Sequence, residues 1–288
     1  CDAGDQIIIP EPFYANYNGF AAASSVEVIP VVSLFENQFE LPPIEKLEEC
    51  ITDRTRAILI CNPSNPTGYL YSEKEVKDLI DLAVKHDIYI IVDEVYREFI
   101  YTDNSHFSIL KSEKANQHAV MIDSVSKRYS LCGARVGCII SKNKTLMSTA
   151  LKFAHLRLSP PTLGLMTSEA AISAPSSYLK GVKRAYEKRK DVTIAALKKI
   201  EGVKVSSPMG AFYCIVKLPV ESAEDFSKFL LTNFEDQGQT VMFAPAAGFY
   251  SSPELGKDQV RLAFVLECNK LKRAAEILEK ALTAYNNL

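Results

Sequence analysis

No apolar run in the chain approaches the roughly 20 residues that a membrane-spanning helix needs. There is no basic stripe either. The 33 Lys and Arg are interspersed with 35 Asp and Glu, and the formal net charge is -2. That balance argues against a nucleic-acid track and against docking on a membrane surface. Cysteine pairs are also lacking. The seven cysteines are odd in number and scattered, none forms a C-x-x-C pair, and the four histidines do not cluster with them. A disulfide framework and a zinc site are therefore not expected, and a reducing, cytoplasmic setting is. No internal repeat, low-complexity tract or signal peptide is visible. An initiator Met is missing too: the chain opens at Cys1, and Ile7-Ile8-Ile9-Pro10 reads as a buried strand almost at once. A domain rarely opens inside its own core, so a preceding N-terminal piece is expected.

What remains is a chain of 288 residues, 47% hydrophobic, long enough to bury one large or two modest cores. Its first half alternates short apolar runs with amphipathic stretches. Candidate strands are Gln6–Pro10, Val26–Val31, Ala57–Cys61, Tyr89–Asp93, Ala119–Asp123 and Cys138–Ser141. They are rich in Ile and Val and mostly continuous, the pattern of strands covered on both faces of a parallel sheet. The clearest helix is Glu73–His86, where Ser72 and Glu75 have capping-box spacing and Val76, Leu79, Ile80 and Ala83 form one apolar face. Strand, helix, strand in that order predicts a right-handed βαβ unit.

The second half predicts helices at Leu146–Leu156 and Gly164–Ser173 and a long one over Tyr178–Glu201 with a solvated basic side. Strands follow near Ala211–Leu218 and Gln259–Phe264, and helices near Ala223–Asp236 and Lys270–Tyr285. The expected fold class is α/β: a three-layer large domain with a mostly parallel sheet over residues 1–180, plus a smaller C-terminal α+β domain over 181–288.

In open α/β sheets ligands sit at the carboxyl ends of the strands. Three strand ends here carry polar residues: Asn62-Pro63-Ser64-Asn65-Pro66-Thr67-Gly68, then Asp93-Glu94-Val95-Tyr96, then Ser124-Val125-Ser126-Lys127-Arg128 with Gly133-Ala134-Arg135-Val136-Gly137. In order and spacing, Asn65-Pro66-Thr67-Gly68, Asp93-Glu94-x-Tyr96, Ser124-x-Ser126-Lys127, Gly133-x-Arg135-x-Gly137 and a late Val260-Arg261-Leu262 resemble the fold-type I, class I/II aminotransferases, which are aspartate aminotransferase-like. The resemblance runs from about Ile7 to Leu288. Each motif alone is only moderately specific, but all of them in this order are highly specific. Family chains carry a further segment ahead of this start, including a glycine-containing phosphate loop.

The resemblance implies pyridoxal 5'-phosphate (PLP) as cofactor, held by Lys127 as a Schiff base. It gives Asp93 to the pyridine nitrogen, which a carboxylate keeps protonated, and Tyr96 and Asn65 to the phenolic oxygen of the ring. Ser124, Ser126 and Arg135 would hold the phosphate, with Arg128 as a neighbouring cation and Gly133 and Gly137 allowing close backbone approach. Pro12-Phe13-Tyr14-Ala15-Asn16-Tyr17 matches the segment whose ring stacks on the cofactor; Tyr14 aligns best, with Phe13 the rival. Arg261 would clamp the substrate α-carboxylate, beside Asn65. Arg157 is either a contact to a substrate side chain across a dimer or a solvated helix end. The four histidines are read as structural or exposed, and Cys132, between Lys127 and Arg135 and so near the expected phosphate site, as a small packing residue.

The implied activity moves an amino group between an L-amino acid and a 2-keto acid, in a homodimer, with Lys127 as general base. Other readings share these residues: a carbon–sulfur lyase or decarboxylase on the same fold, the aminotransferase-like domain of a PLP-sensing regulator, or an inactive fragment. The donor amino acid is not legible.

Overall fold

The computed structural model describes residues 1–287. The first region contains β1 (Gln6–Glu11), α1 (Asn16–Ala23), β2 (Glu27–Val32), α2 (Ile44–Glu49), β3 (Thr55–Cys61), α3 (Glu73–Lys85), β4 (Tyr89–Asp93), β5 (Ala119–Ser124), α4 (Val125–Arg128) and β6 (Gly137–Ile140). Helices α5 (Lys144–Arg157), α6 (Thr162–Ile172) and α7 (Ser176–Leu197) follow. The chain then forms β7 (Lys204–Val205), β8 (Tyr213–Lys217), α8 (Ala223–Thr232), β9 (Ala244–Pro245), β10 (Gln259–Ala263) and α9 (Cys268–Asn286).

Six strands form one sheet in the order β2-β1-β3-β4-β5-β6. The pairs from β2 through β5 are parallel, and β6 closes the edge antiparallel to β5. This is the α/β class with a mostly parallel sheet. The continuous apolar runs become buried strand centres: Ile8, Ile58, Ile60, Ile90 and Val92 are at most 1% exposed. They pack with Leu47 of α2 and with Val76, Leu79, Ile80 and Ala83 of α3. The α3 capping box forms as the Ser72/Glu75 spacing predicts, with the Ser72 hydroxyl accepting from the Glu75 amide and the Glu75 carboxylate accepting from the Ser72 amide.

β6 departs from the expectation of strands covered on both faces. All four of its residues are exposed, and it is the edge strand of the sheet. A second sheet, β7-β8-β10-β9, is antiparallel throughout. Its core contains Phe212, Val216, Phe226, Val260 and Leu278, and it continues into Tyr96, Phe99 and Tyr101, which follow β4. The expected boundary at residues 180/181 falls within α7. Among the described residues no helix is long and apolar enough to cross a membrane.

Candidate active site

Parallel pairing sends the carboxyl ends of β1, β3, β4 and β5 to one edge of the first sheet. Tyr14 follows β1, Asn65 follows β3, Asp93 ends β4 with Tyr96 beyond it, and Ser124, Ser126 and Lys127 follow the β5 apolar run. Arg135 reaches the same edge for a different reason: β6 runs antiparallel, so its start at Gly137 lies opposite Ser124. A Cβ on Gly137 would stand 3.0 Å from the Asp123 carbonyl oxygen, so this glycine does permit close strand approach. Arg261 arrives from β10 of the second sheet. All nine sequence-predicted residues line one cavity of about 450 Å³.

Asp93 lines the cavity at the end of β4. Its carboxylate accepts from the Val95 amide at 3.1 Å and from the Tyr17 hydroxyl at 3.1 Å. Burial pushes this carboxyl above its ordinary range. The Val95 and Tyr17 hydrogen bonds pull it down, Asp123 adds to the rise, and the Lys127 charge opposes it. A buried carboxylate in this state favours a cationic partner. The Lys127 amine stands 5.9 Å from the Tyr96 ring centre and 5.8 Å from that of Phe212, between aromatic walls.

At the other end, the short α4 is capped by Ser124, whose oxygen accepts from the Ser126 amide at 3.1 Å. The Ser124 hydroxyl lies 2.8 Å from both the Ser126 oxygen and the Val136 carbonyl. One proton serves only one of these acceptors. Arg135 adopts φ 56° and donates one hydrogen bond, 2.8 Å to the Cys132 carbonyl.

Arg261 is held on three sides. Its Nη1 donates to Asn65 Oδ1 at 2.9 Å, and its guanidinium carbon lies 4.6 Å from the Tyr213 ring centre and 5.0 Å from that of Phe249. Tyr213 also places its hydroxyl 3.0 Å from that of Tyr96.

A largely buried charge network borders the cavity at Asp123. Arg128 Nη2 donates to both Asp123 oxygens, at 3.0 and 2.9 Å, and Arg97 Nη2 is 3.0 Å from Asp123 Oδ2. Arg128 is thereby neutralised by Asp123, which weakens its expected part as a free cation beside Lys127.

Tyr14 lines the cavity, while its rival Phe13 is 3% exposed in the core and is not among the lining residues. Arg157 ends α5 exposed and lies outside the cavity lining. A Cβ on Gly133 meets nothing within 4 Å, so no close approach requires that glycine. Sequence reasoning missed Tyr17, Cys61, Asp123 and Tyr213 as lining groups and set Cys132 aside as packing. Tyr17 stood within a quoted motif and was the one most open to detection.

The donor set fits PLP. An amine is present for an aldehyde, and a buried carboxylate for a ring nitrogen. A phenol and an amide are present for a ring oxygen, and two hydroxyls with a guanidinium for a phosphate.

The family profile described as aminotransferase class I and II matches residues 1–278. An aspartate aminotransferase of Bacillus subtilis is 31% identical over 284 residues, covering 97% of this chain and 70% of that protein. Aromatic-amino-acid aminotransferase 2 of Thermococcus litoralis is 25% identical, over 96% of this chain and 70% of its own length. The crystal structure of aspartate aminotransferase from Thermotoga maritima superposes with TM-score 0.86 at 29% identity, covering 98% of this chain and 71% of that one. The aromatic aminotransferase of Pyrococcus horikoshii gives TM-score 0.88 at 25% identity, covering 100% and 75%. The chain belongs to the class I and II aminotransferases and is a PLP-dependent enzyme of that family.

Proposed function

We propose that the cavity at the carboxyl edge of the first sheet is the transamination site and that its lining residues divide the work as follows. Bound PLP supplies an electron sink for the bond broken at the substrate α-carbon. Lys127 is the covalent anchor and then the base that takes the α-proton and returns it. Asp93 holds a proton on the ring nitrogen; its burial and the Tyr17 hydrogen bond fix the carboxylate in place. Tyr96 and Asn65 would hydrogen-bond the ring oxygen, Tyr14 would stack on the ring face, and Ser124, Ser126 and Arg135 would hold the phosphate.

Arg261 orients the substrate. A guanidinium pinned between two aromatic faces and one amide oxygen has few ways to turn, so a carboxylate it grips is held in a narrow range of angles. The single observation that carries the reading is the meeting of all nine residues, from both sheets, around one cavity.

The substrates are an amino acid and a 2-keto acid. Aspartate is the first donor to test and aromatic amino acids the second, a choice guided by the names of the relatives. We further propose that the enzyme is a cytoplasmic homodimer and that residues 1–180 and 181–288 are two units that close on substrate, α7 passing between them. An amino-donor panel on PLP-loaded protein tests the activity. Amino transfer that depends on an added keto acid supports it. Keto-acid-independent release of pyruvate and ammonia from a β-substituted donor would establish the lyase instead. Sedimentation analysis tests the dimer.

A further inference from the structure

We propose that Tyr213 is a positioning residue that donates a hydrogen bond from its hydroxyl to that of Tyr96 and, with the same ring, seats Arg261, so that one side chain of the second sheet aligns both the cofactor's oxygen ligand and the substrate clamp. The inference rests on the roles proposed above for Tyr96 and Arg261.

The geometry carries it. Tyr213 opens β8 opposite Ala263 of β10, and Arg261 is two residues earlier on the same face, a diagonal neighbour. The Tyr213 ring lies 4.6 Å from the Arg261 guanidinium carbon while its hydroxyl stands 3.0 Å from that of Tyr96. Both tyrosines are buried, at 7% and 3% exposure.

The backbone around Tyr213 is tied to both neighbouring loops. The Met209 and Gly210 amides donate to the Gly68 carbonyl at 2.9 Å, just past Asn65. The Tyr101 amide donates to the Met209 carbonyl and the Ala211 amide to the Phe99 carbonyl, each at 2.9 Å, just past Tyr96. A residue whose preceding backbone is tied to the two loops that supply Asn65 and Tyr96 is poised to set their relation.

Proton counting gives the pair a direction. A phenol has one proton. If Tyr96 donates it to a ring oxygen, the Tyr96 oxygen can only accept from Tyr213, and the two hydrogen bonds then polarise one another. A stronger Tyr96 donor stabilises negative charge on that ring oxygen. Losing the Tyr213 hydroxyl should therefore make PLP bound at Lys127 give up its proton at higher pH.

The test uses Tyr213→Phe, which keeps the ring beneath Arg261, and Tyr213→Leu, which loses it. PLP affinity is measured by titrating apo-protein, and the pH midpoint of the absorbance change of bound PLP is measured separately. Tyr213→Phe is expected to weaken PLP by roughly 3- to 10-fold and to raise the midpoint by about half a unit to one unit, the worth of one ordinary hydrogen bond. Tyr96→Phe should move the midpoint the same way and further, with the double variant going no further than Tyr96→Phe alone. Tyr213→Leu should in addition raise the donor KM, which Tyr213→Phe leaves near wild type.

A Tyr213→Phe protein with unchanged affinity and midpoint overturns the inference, even if it melts earlier, because a purely structural contact would change only the melting. Fully additive Tyr96 and Tyr213 effects also overturn it. Wild-type protein that takes up no PLP would instead refute the site reading on which the inference rests.

Discussion

Replacing Asp123 with Asn keeps the shape of the side chain and removes its charge. The carboxylate is 9% exposed and accepts two hydrogen bonds from Arg128, itself 12% exposed, while Arg97 at 27% exposure lies 3.0 Å away. The amide leaves one oxygen to accept and turns an NH2 towards a guanidinium. Removing one member of a buried pair costs about 3–5 kcal/mol, since the surviving charge stays desolvated. Two features reduce that here. Arg97 is partly screened by water, and Glu98 lies 3.6 Å from Arg128 and 3.7 Å from Arg97. We expect Asp123→Asn to lose about 2–3 kcal/mol in urea unfolding at constant m. Arg128→Met tests the pairing: with the partner gone, Asp123→Asn should cost at least about 1 kcal/mol less. A loss below about 0.5 kcal/mol, or strict additivity in the double variant, would refute the view that this network is a coupled buried unit. Because α4 carries both Arg128 and Lys127, PLP affinity should fall alongside stability.

Three further outcomes follow from the same geometry. Arg261→Lys loses the planar fork held by Asn65, Tyr213 and Phe249, and the donor KM should rise about 10- to 100-fold; steady-state kinetics with wild-type-like KM would contradict the clamp. Gly68 has φ 75°, and a Cβ there would stand 2.4 Å from the Pro208 Cβ and 2.7 Å from the Tyr213 carbonyl oxygen, so Gly68→Ala should cost more than about 2 kcal/mol by chemical unfolding. His106 is pushed down to about 4, first by burial and then by Arg97, so the folded protein keeps it neutral while the unfolded chain protonates near its ordinary value. Stability is therefore lost as pH falls from about 6.5 through about 4, by at most about 3 kcal/mol. Glu94, facing it at 3.8 Å with its carboxyl pushed up by burial, works in the opposite sense. Unfolding of His106→Gln measured across that range should be less acid-sensitive than wild type, and equal sensitivity would contradict the assignment.

Much of this architecture was legible because its signals are local. β4 is Tyr89–Asp93 in both readings, and the α3 capping box is a matter of four consecutive residues. α1 was missed because it buries no residue and so leaves no apolar period to detect. β7 and β9 are two residues each, too short for any pattern. β6 is apolar in sequence yet exposed, since composition reports hydrophobicity and not what lies over a strand. The predicted site residues share one cavity because motifs at strand ends converge wherever parallel strands do. What sequence could not show is how those residues are held. The Tyr17–Asp93 bond spans 76 residues, Tyr96–Tyr213 spans 117 and Arg261–Asn65 spans 196. Nothing local in a sequence encodes such pairs.

The central claim is that Lys127 is the residue to which the cofactor is bonded. PLP-loaded protein reduced with borohydride and digested should yield one peptide bearing the reduced cofactor, attached at Lys127, and Lys127→Ala should yield none. Attachment at another lysine, or labelling of Lys127→Ala equal to wild type, would contradict the account.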